Sequence, residues 1–321
     1  MRAVAIDHSK PQGLAFAEVD TPSPGYDEAI VEVEMFALNP GELATRTHRS
    51  DGDRIGWDFV GTVREAAESG EGPPVGAAVA GSVPDGAWAE RIAVPVRNIA
   101  VLPDGLEPRD AVCACVPAMT AYVALAEGGL LFGKRVLVTG AAGAVGQFAC
   151  QIASASNARI SAAVRRDEQV EIVRAHDVRD VRVTEGIDAF EGEVFDLIVD
   201  VVGQGVTHEA MSCLAPYGTY VLLSMAGGGD LDVPFVPLQS ANGRIQAIDL
   251  FTHIDAGSDT VSTVLGRILG MVDSGVITAP VGDVHPWTEL DSVIDRYLSS
   301  ARRDKPILSI TEHAYSNGAS S

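Results

Sequence analysis

The chain has 321 residues, of which 46% are hydrophobic and 21% charged, so its composition excludes disordered, collagen-like and coiled-coil proteins. Its length predicts about two domains. The 23 basic and 44 acidic residues leave a net charge of −21, which argues against nucleic-acid and anionic-membrane binding. Since no targeting or membrane segment is visible and the four cysteines form no CxxC pair, we predict buried, reduced thiols and a cytoplasmic location.

The first hundred residues are rich in predicted β-strands. Residues 29–34 alternate apolar and acidic side chains, a pattern typical of a half-buried strand. Similar short runs at 59–63, 77–80 and 91–94 are separated by turns that contain proline and glycine.

From residue 108 the pattern changes to alternating helices and strands. An alanine-rich segment at 109–126 predicts a helix that is broken by Pro117. The following segments alternate between apolar strands and helices, with strands predicted at 136–139, 160–164, 196–199 and 219–223. This alternation predicts an α/β fold with a doubly wound parallel sheet.

The last part of the chain contains two predicted helices and one predicted strand. The helices cover 260–274 and 290–298, the strand covers 307–310, and a polar tail follows at 313–321. This part could join the β-rich first part in one domain that the α/β unit interrupts.

The most specific local pattern is a glycine turn at 139–146, T-G-A-A-G-A-V-G, between a predicted strand and a predicted helix. Its spacing is related to the dinucleotide-binding fingerprint, in which glycines allow a tight turn and bring backbone N–H groups to a pyrophosphate. The alternative is a purely structural turn. The strand and helix that flank the turn favour nucleotide binding.

The end of the next strand distinguishes between the two nicotinamide cofactors. An NAD site usually has an acidic residue at this point, whereas this chain has Arg165 and Arg166, followed by Asp167. Guanidinium groups suit a 2′-phosphate, so the pair predicts NADPH as cofactor. The alternative is a solvated loop in which Asp167 only caps the next helix.

Five segments together resemble the zinc-independent medium-chain dehydrogenase/reductases, in the quinone oxidoreductase-like (zeta-crystallin-type) branch. They are A-L-N-P at 37–40, V-P-A-M-T-A-Y at 116–122, the cofactor loop at 133–146, F-D-L-I-V-D-V-V-G at 195–203 and Y-G-T-Y-V at 217–221. The resemblance implies a Rossmann domain at 111–249. It also implies a GroES-like β-barrel catalytic domain, split between 1–110 and 250–321, with the cofactor in the cleft between them and a homodimer as the assembly.

The resemblance also implies roles for individual residues. Gly143, Ala144 and Val145 would lie under the pyrophosphate, in the same turn as Gly140 and Ala142. The nicotinamide side would be formed by Thr120, Val202, Ser224 and Met225. Asn39 would lie near the nicotinamide ribose and the substrate as a catalytic residue, and Phe251 would form a pocket wall.

The residues at the zinc-ligand positions of related enzymes predict that no metal is bound. Those positions correspond to Asn39, Trp57 and Val116, and neither tryptophan nor valine is a zinc ligand. Without a Lewis acid, hydride transfer to an electron-poor acceptor remains feasible. We therefore predict NADPH-dependent reduction of a quinone or an activated C=C bond in an enone.

The proton donor and the substrate pocket are less clearly indicated. The segment after 37–40 lacks the tyrosine that this family often has, which leaves His48 as a possible acid–base group. Arg46, with its neighbours Arg49 and Arg54, could attract an anionic substrate or could simply be solvated. Trp57 could form an apolar pocket wall or belong to the core.

Three other functions remain open at this level. The chain could be an enoyl reductase of a biosynthetic, polyketide-like pathway, which uses the same chemistry. It could be an NADPH-binding structural or sensor protein with little turnover, since the usual tyrosine is missing. The least favoured possibility is a zinc-dependent alcohol dehydrogenase.

Overall fold

The computed structural model describes residues 1–203, 205–223, 233–257, 259–299 and 305–311. Its strands are β1 (Arg2–Ile6), β2 (Leu14–Glu18), β3 (Glu28–Ala37), β4 (Asp58–Glu65), β5 (Ala78–Ser82), β6 (Arg91–Pro95), β7 (Ile99–Val101), β8 (Arg135–Thr139), β9 (Arg159–Val164), β10 (Asp180–Val183), β11 (Phe195–Asp200), β12 (Leu214–Leu222), β13 (Arg244–Ala247), β14 (Val281–Pro286) and β15 (Lys305–Ser309). Its α-helices are α1 (Pro40–Thr45), α2 (Pro108–Ala126), α3 (Ala144–Ala155), α4 (Val170–Arg174), α5 (Gly205–Met211), α6 (Phe235–Ser240), α7 (Leu250–Ala256), α8 (Val261–Asp273) and α9 (Leu290–Ser299). The chain forms two compact units, one of Met1–Val116 with the segment from Ile254 onward, the other of Pro117–His253.

The first unit is built on a mainly antiparallel sheet. Its strand order is β14-β15-β3-β4-β5-β7, with β6 also paired to β3, and β1 and β2 form a separate antiparallel pair. The long strand β3 is mostly buried, and Phe36 at its end stacks on Trp88 with 5.0 Å between ring centroids. Because β15 from the end of the chain pairs with β3, both ends of the sequence contribute strands to this sheet.

The second unit is a six-stranded parallel sheet with the order β10-β9-β8-β11-β12-β13. Its central strands β8 and β11 are apolar and buried, as expected for strands covered on both faces. This arrangement confirms the predicted doubly wound α/β fold. The strand order reverses between β8 and β11, so the carboxyl ends of these two strands form the switch point where ligands bind in such sheets.

Helix α2 differs from the sequence prediction because it continues through Pro117. A proline in a helix interior costs about 3 kcal/mol, since it removes one backbone hydrogen bond. The flanking residues from Ala111 to Met119 are all buried, so tertiary packing outweighs this cost. Among the described residues, α2 is also the one helix long and apolar enough to cross a membrane, but most of it is buried inside the protein, as in a core helix.

Candidate functional site

The glycine turn lies at the switch point of the parallel sheet. Gly140, directly after β8, has a φ of +59°, which L-residues with a side chain rarely adopt. Gly143 is the N-cap of α3, and its N–H donates to the carbonyl of Gly140 over 3.0 Å. Gly146 packs so closely on the turn that an added Cβ would lie 2.4 Å from the Gly140 oxygen. The three glycines therefore form one tight turn between β8 and α3.

The first turn of α3 presents backbone donors at this edge of the sheet. The N–H groups of Ala144, Val145 and Gly146 belong to the first helical turn, where no intrahelical carbonyl is available to them. The helix dipole adds partial positive charge at the same point. Gly143 leaves room in front of these donors, since the nearest atom to an added Cβ would be the Gly140 oxygen at 3.4 Å. We call Gly143 and the N–H groups of residues 144–146 the glycine cradle. Its donors and its dipole fit a diphosphate.

Residues at or near the carboxyl ends of several strands line a pocket beside the turn. Gly140, Arg165, Thr184, Glu185 and Val202 are among the residues that line it. Arg166 does not line this pocket, and its guanidinium lies 3.9 Å from the carboxylate of Glu168. Of the two arginines singled out by the sequence, the structure therefore places Arg165 at the pocket.

A buried carboxylate, Asp200, ends β11 next to this pocket. Its Oδ1 accepts hydrogen bonds from Thr139 Oγ1 at 2.6 Å and from the backbone N–H groups of Val202 and Gly203 at 3.0 Å each. Its Oδ2 accepts from Thr207 Oγ1 at 2.9 Å and from the hydroxyl of Tyr220. Burial is the main cause that raises the pKa of Tyr220, and the nearby charge of Asp200 is the second. The hydroxyl therefore stays protonated and can donate.

The first unit contains a second polar cluster, which surrounds Asn39. The backbone N–H and the side-chain amide of Asn39 both donate to Glu42 Oε2, over 2.7 and 3.0 Å, and the same amide donates to Asp58 Oδ2 over 2.9 Å. The backbone N–H of Trp57 donates to Glu42 Oε1 over 2.5 Å. Lys305 completes the cluster with an ion pair of 2.8 Å to Asp58. Asn39 and Trp57, which the sequence singled out, are thus joined through Glu42.

The charges in this cluster are strongly perturbed by burial. Burial, reinforced by the nearby charge of Asp58, raises the pKa of Glu42 well above the ordinary glutamate value. Burial alone would lower the pKa of Lys305, but the Asp58 carboxylate more than compensates and raises that pKa. Lys305 therefore remains protonated at neutral pH, in contact with Asp58.

The arginines after α1 bind protein acceptors. Arg46 donates through Nε to the carbonyl of Gln12 over 2.9 Å and through Nη1 to that of Leu43. Arg49 binds Asp85, and Arg54 donates to the carbonyl of Gly86. His48 is exposed at the end of a single 3₁₀ turn. These arginines already serve to hold the loop.

The remaining predicted site residues lie as follows. Thr120 on α2 and Phe251 on α7 are half-buried in the second unit. Ala142 accepts a hydrogen bond of 2.8 Å from Gln147 within the glycine turn. Ser224 and Met225 lie outside the described residues.

The residues at the zinc-ligand positions do not fit a zinc ion. The Asn39 amide nitrogen is held by two carboxylates, and Trp57 packs its ring against Gly41. Val116 carries no donor atom in its side chain. Within the described part of the chain, no group of three or more His, Cys, Asp or Glu side chains is placed to hold a metal ion.

The four cysteines are free and buried, as predicted. Burial raises the pKa of Cys113 and of Cys150 to about 12, so both remain thiols at neutral pH. These groups are part of the core and have the properties of small apolar side chains.

The sequence patterns did not single out Asp200 in the second unit or Lys305 in the cluster around Asn39. Asp200 could have been found as an acidic residue that ends an otherwise apolar strand. Lys305 is one of only three lysines in the chain. Its pairing with Asp58 joins residues 247 positions apart, so no local pattern predicts it.

Comparisons with known proteins agree with this arrangement. Residues 144–268 match the family model of zinc-binding dehydrogenases. A mycocerosic acid synthase-like polyketide synthase from Mycobacterium tuberculosis is 26% identical over 94% of this chain, which spans 15% of that protein's length. A zinc-type alcohol dehydrogenase-like protein from Schizosaccharomyces pombe is 32% identical over 60% of the chain and 59% of its own length. The chain thus spans less than two thirds of either relative.

Solved structures resemble the whole described chain. The quinone oxidoreductase from Thermus thermophilus, also solved in complex with NADPH, is 26% identical with a TM-score of 0.79, covering 97% of this chain and all of the other. The CurK enoyl reductase is 18% identical with a TM-score of 0.83, covering 96% of this chain and 98% of its own. The second likeness supports the fold alone.

Proposed function

Because the chain belongs to the medium-chain dehydrogenase/reductase family of oxidoreductases, we propose that it is an NADPH-dependent, zinc-free reductase of a quinone or of an activated C=C bond. The observation that carries this proposal is the glycine cradle at the switch point, with Arg165 in the adjoining pocket. NADPH, when bound, supplies a hydride to an electron-poor acceptor.

The residues of the second unit would hold this cofactor. The first-turn N–H groups of α3 would bind the diphosphate, and Gly143 would let it approach the backbone. Arg165 would bind the 2′-phosphate, since a guanidinium offers paired donors and a permanent charge. Thr120, Val202, Ser224 and Met225 stay predictions for the nicotinamide side.

Replacing Arg165 by alanine is expected to weaken NADPH binding about tenfold or more, while the Kd for NADH changes little. The reason is that only NADPH carries the 2′-phosphate that this guanidinium would bind. Arg166→Ala should have a smaller effect, because Arg166 lies beside Glu168 rather than in the pocket. Fluorescence titration of the purified protein with both reduced cofactors measures these constants.

Arg159→Ala is the matched control for this experiment. Arg159 is also exposed and begins strand β9, whereas Arg165 directly follows the carboxyl end of that strand. Its loss changes the net charge equally and should leave both Kd values unchanged. If Arg165→Ala weakened NADPH and NADH by the same factor, the assignment to the 2′-phosphate would be wrong.

The acceptor is proposed to be a neutral molecule. Arg49 is paired with the carboxylate of Asp85, and Arg46 and Arg54 donate to backbone carbonyls, so part of the hydrogen-bonding capacity of these arginines is already used within the protein. The net charge of −21 also gives no long-range attraction for an anionic acceptor. The roles of Trp57 and of Phe251 as apolar pocket walls stay predictions.

The proton that completes the reduction has two candidate sources. Asn39 is 4% exposed and its amide is held by Glu42 and Asp58, so we assign it to the shape of the site rather than to proton transfer. His48 is exposed and can exchange protons with water. His48 and solvent are therefore the candidates.

An enoyl reductase of a polyketide-like pathway is the second candidate function. It is supported by the similarity to the mycobacterial polyketide synthase along 94% of this chain and by the fold shared with CurK. The reaction uses the same cofactor and the same hydride acceptor chemistry. The two candidates therefore differ in substrate and not in cofactor.

Acceptor-dependent oxidation of NADPH by the purified protein tests the proposal. Menadione and duroquinone represent neutral quinones, cyclohexenone a neutral enone, and crotonyl-CoA an anionic thioester. We expect turnover with a neutral acceptor and less with crotonyl-CoA. Product analysis distinguishes a hydroquinone from a saturated ketone.

Three outcomes would change the proposal. Preferred turnover of crotonyl-CoA would favour a biosynthetic enoyl reductase. Tight NADPH binding without turnover of any acceptor would favour a structural or sensor protein. Zinc-dependent alcohol oxidation would overturn the metal-free assignment. A homodimer stays a prediction that rests on the resemblance, and a cytoplasmic location stays a prediction that rests on the sequence.

A further inference from the structure

Asp200 connects four separate parts of the second unit through one buried carboxylate. Its partners are Thr139 at the end of β8, Tyr220 on β12, Thr207 on α5 and the backbone of the turn that follows β11. Asp200 is 0% exposed, and all its partners are neutral donors. A buried carboxylate with this many donors is held in one position, because losing any one of them would leave charge unsatisfied.

The position of Asp200 determines how two turns meet. Thr139 directly precedes Gly140, the first glycine of the glycine turn. Val202 and Gly203 belong to the turn after β11. Thr139 Oγ1 also accepts a hydrogen bond of 3.1 Å from the N–H of Val201, which closes the link between both turns. The Val202 side chain packs against Gly140, where an added Cβ would lie 3.1 Å away.

We propose that Asp200 is a positioning residue for the cofactor: through Thr139 it fixes the glycine turn against the turn at Val201–Gly203, and so sets the shape of the pocket between them. This inference rests on the proposed function, because it assigns the pocket to NADPH. Thr139, Gly140 and Val202 all line that pocket, whereas Asp200 is fully buried and does not line it. Asp200 thus acts through its neighbours and does not touch the cofactor.

A carboxylate is better suited to this task than an apolar contact. Apolar packing would allow the two turns to slide by fractions of an ångström, whereas hydrogen bonds to a charged oxygen are directional. The glycine turn must hold its N–H groups at a fixed distance from a diphosphate. The cost of burying Asp200 is therefore offset by a site that is already formed before the cofactor binds.

The test replaces Thr139, because this change leaves the charge in place. Thr139→Val has the same shape but no hydroxyl, so it removes one donor from Asp200 and the acceptor of the Val201 N–H. We expect its Kd for NADPH to rise about tenfold or more. Thr139→Ser restores the hydroxyl and should return the Kd to that of the wild type. Fluorescence titration gives the Kd, and thermal unfolding gives the Tm.

Ser161→Ala is the matched control. Ser161 Oγ donates to Asp180 over 2.5 Å in the same sheet, between β9 and β10, and does not line the pocket. It should lower the Tm as Thr139→Val does, yet leave the Kd for NADPH unchanged. A merely structural role of Asp200 predicts the same Kd for both variants.

The outcomes separate this inference from the proposed function. If the wild type binds NADPH and Thr139→Val binds it equally well, the inference is wrong and the proposed function stands. If Thr139→Ser fails to restore binding, the hydroxyl link is also wrong. If the wild-type protein itself does not bind NADPH, the proposed function fails, and with it the cofactor role of Asp200. Because Thr139 lines the pocket and Asp200 does not, Asp200→Asn separates a direct contact of Thr139 from positioning by Asp200. In this variant the hydroxyls of Thr207 and Tyr220 can reorient to accept, and the Kd for NADPH should still rise. A Kd equal to that of the wild type would contradict the proposal.

Discussion

Replacing Lys305 by methionine is expected to lower the free energy of unfolding by about 3–5 kcal/mol. Lys305 is 3% exposed and pairs over 2.8 Å with Asp58, which is 0% exposed. Without the ammonium group, the buried side chain of Asp58 loses its ion-pair partner. Urea unfolding followed by circular dichroism measures the loss.

The pH dependence of this stabilisation follows from the raised pKa of Lys305. A lysine with a raised pKa in the folded state contributes stability that is fully present below its ordinary value of 10.5. The contribution is lost as the pH rises through the higher, folded-state value. The difference between wild type and Lys305→Met should therefore persist at neutral pH and shrink in strongly alkaline solution.

Two further variants separate the buried charge from a general loss of contacts. Lys305→Met combined with Asp58→Asn should be less unstable than Lys305→Met alone, because the unpaired carboxylate is removed. Arg64→Met breaks the exposed pair with Glu32 and should cost no more than about 1 kcal/mol. If Lys305→Met were as mild as Arg64→Met, the cluster would not depend on its buried ion pair.

The two units differ in how much of each can be predicted from the sequence. The strands β8 and β11 and the glycine turn follow from local patterns, since apolar runs and glycine spacing are set within ten residues. The pairing of β15 with β3 depends on residues more than 260 positions apart. The resemblance predicted that the two ends share a domain, whereas the partner of Asp58 became visible only in the structure.

The candidate site was predicted unevenly for the same reason. Arg165 and Arg166 are equivalent in the sequence, and only the three-dimensional arrangement places one of them at the pocket. Pro117 is a helix breaker by local rules, yet α2 continues through it because its surroundings are buried. Local chemistry thus predicted a tight glycine turn after β8, while packing decided which of the two arginines lies at the pocket.

Gly143→Val is expected to weaken the binding of NADPH and NADH alike, by about a hundredfold or more. The backbone of Gly143 has φ −76° and ψ 164°, which a valine also adopts, so the turn itself can be kept. We expect the added side chain, at the N-cap of α3, to hinder the approach of a diphosphate to the first-turn N–H groups. Fluorescence titration with both cofactors, alongside the Tm, measures this result.

Two other glycines serve as controls for Gly143→Val. Gly146→Val should disrupt the fold, since its Cβ would lie 2.4 Å from the Gly140 oxygen and 2.6 Å from the Ala141 Cα. Gly266→Val on α8 has open space and should change neither folding nor binding. A Gly143→Val protein that folds and still binds either cofactor normally would contradict the cradle.

The comparison with Arg165→Ala makes the Gly143→Val result specific. The diphosphate is common to NADPH and NADH, so blocking its cradle must affect both cofactors by a similar factor. The 2′-phosphate is present only in NADPH, so losing Arg165 must affect one cofactor more than the other. If each variant raised the Kd for NADPH and the Kd for NADH by the same factor, Arg165 would not recognise the 2′-phosphate specifically. The dinucleotide would then be recognised by its backbone contacts alone, and the selection of NADPH would have to come from another residue.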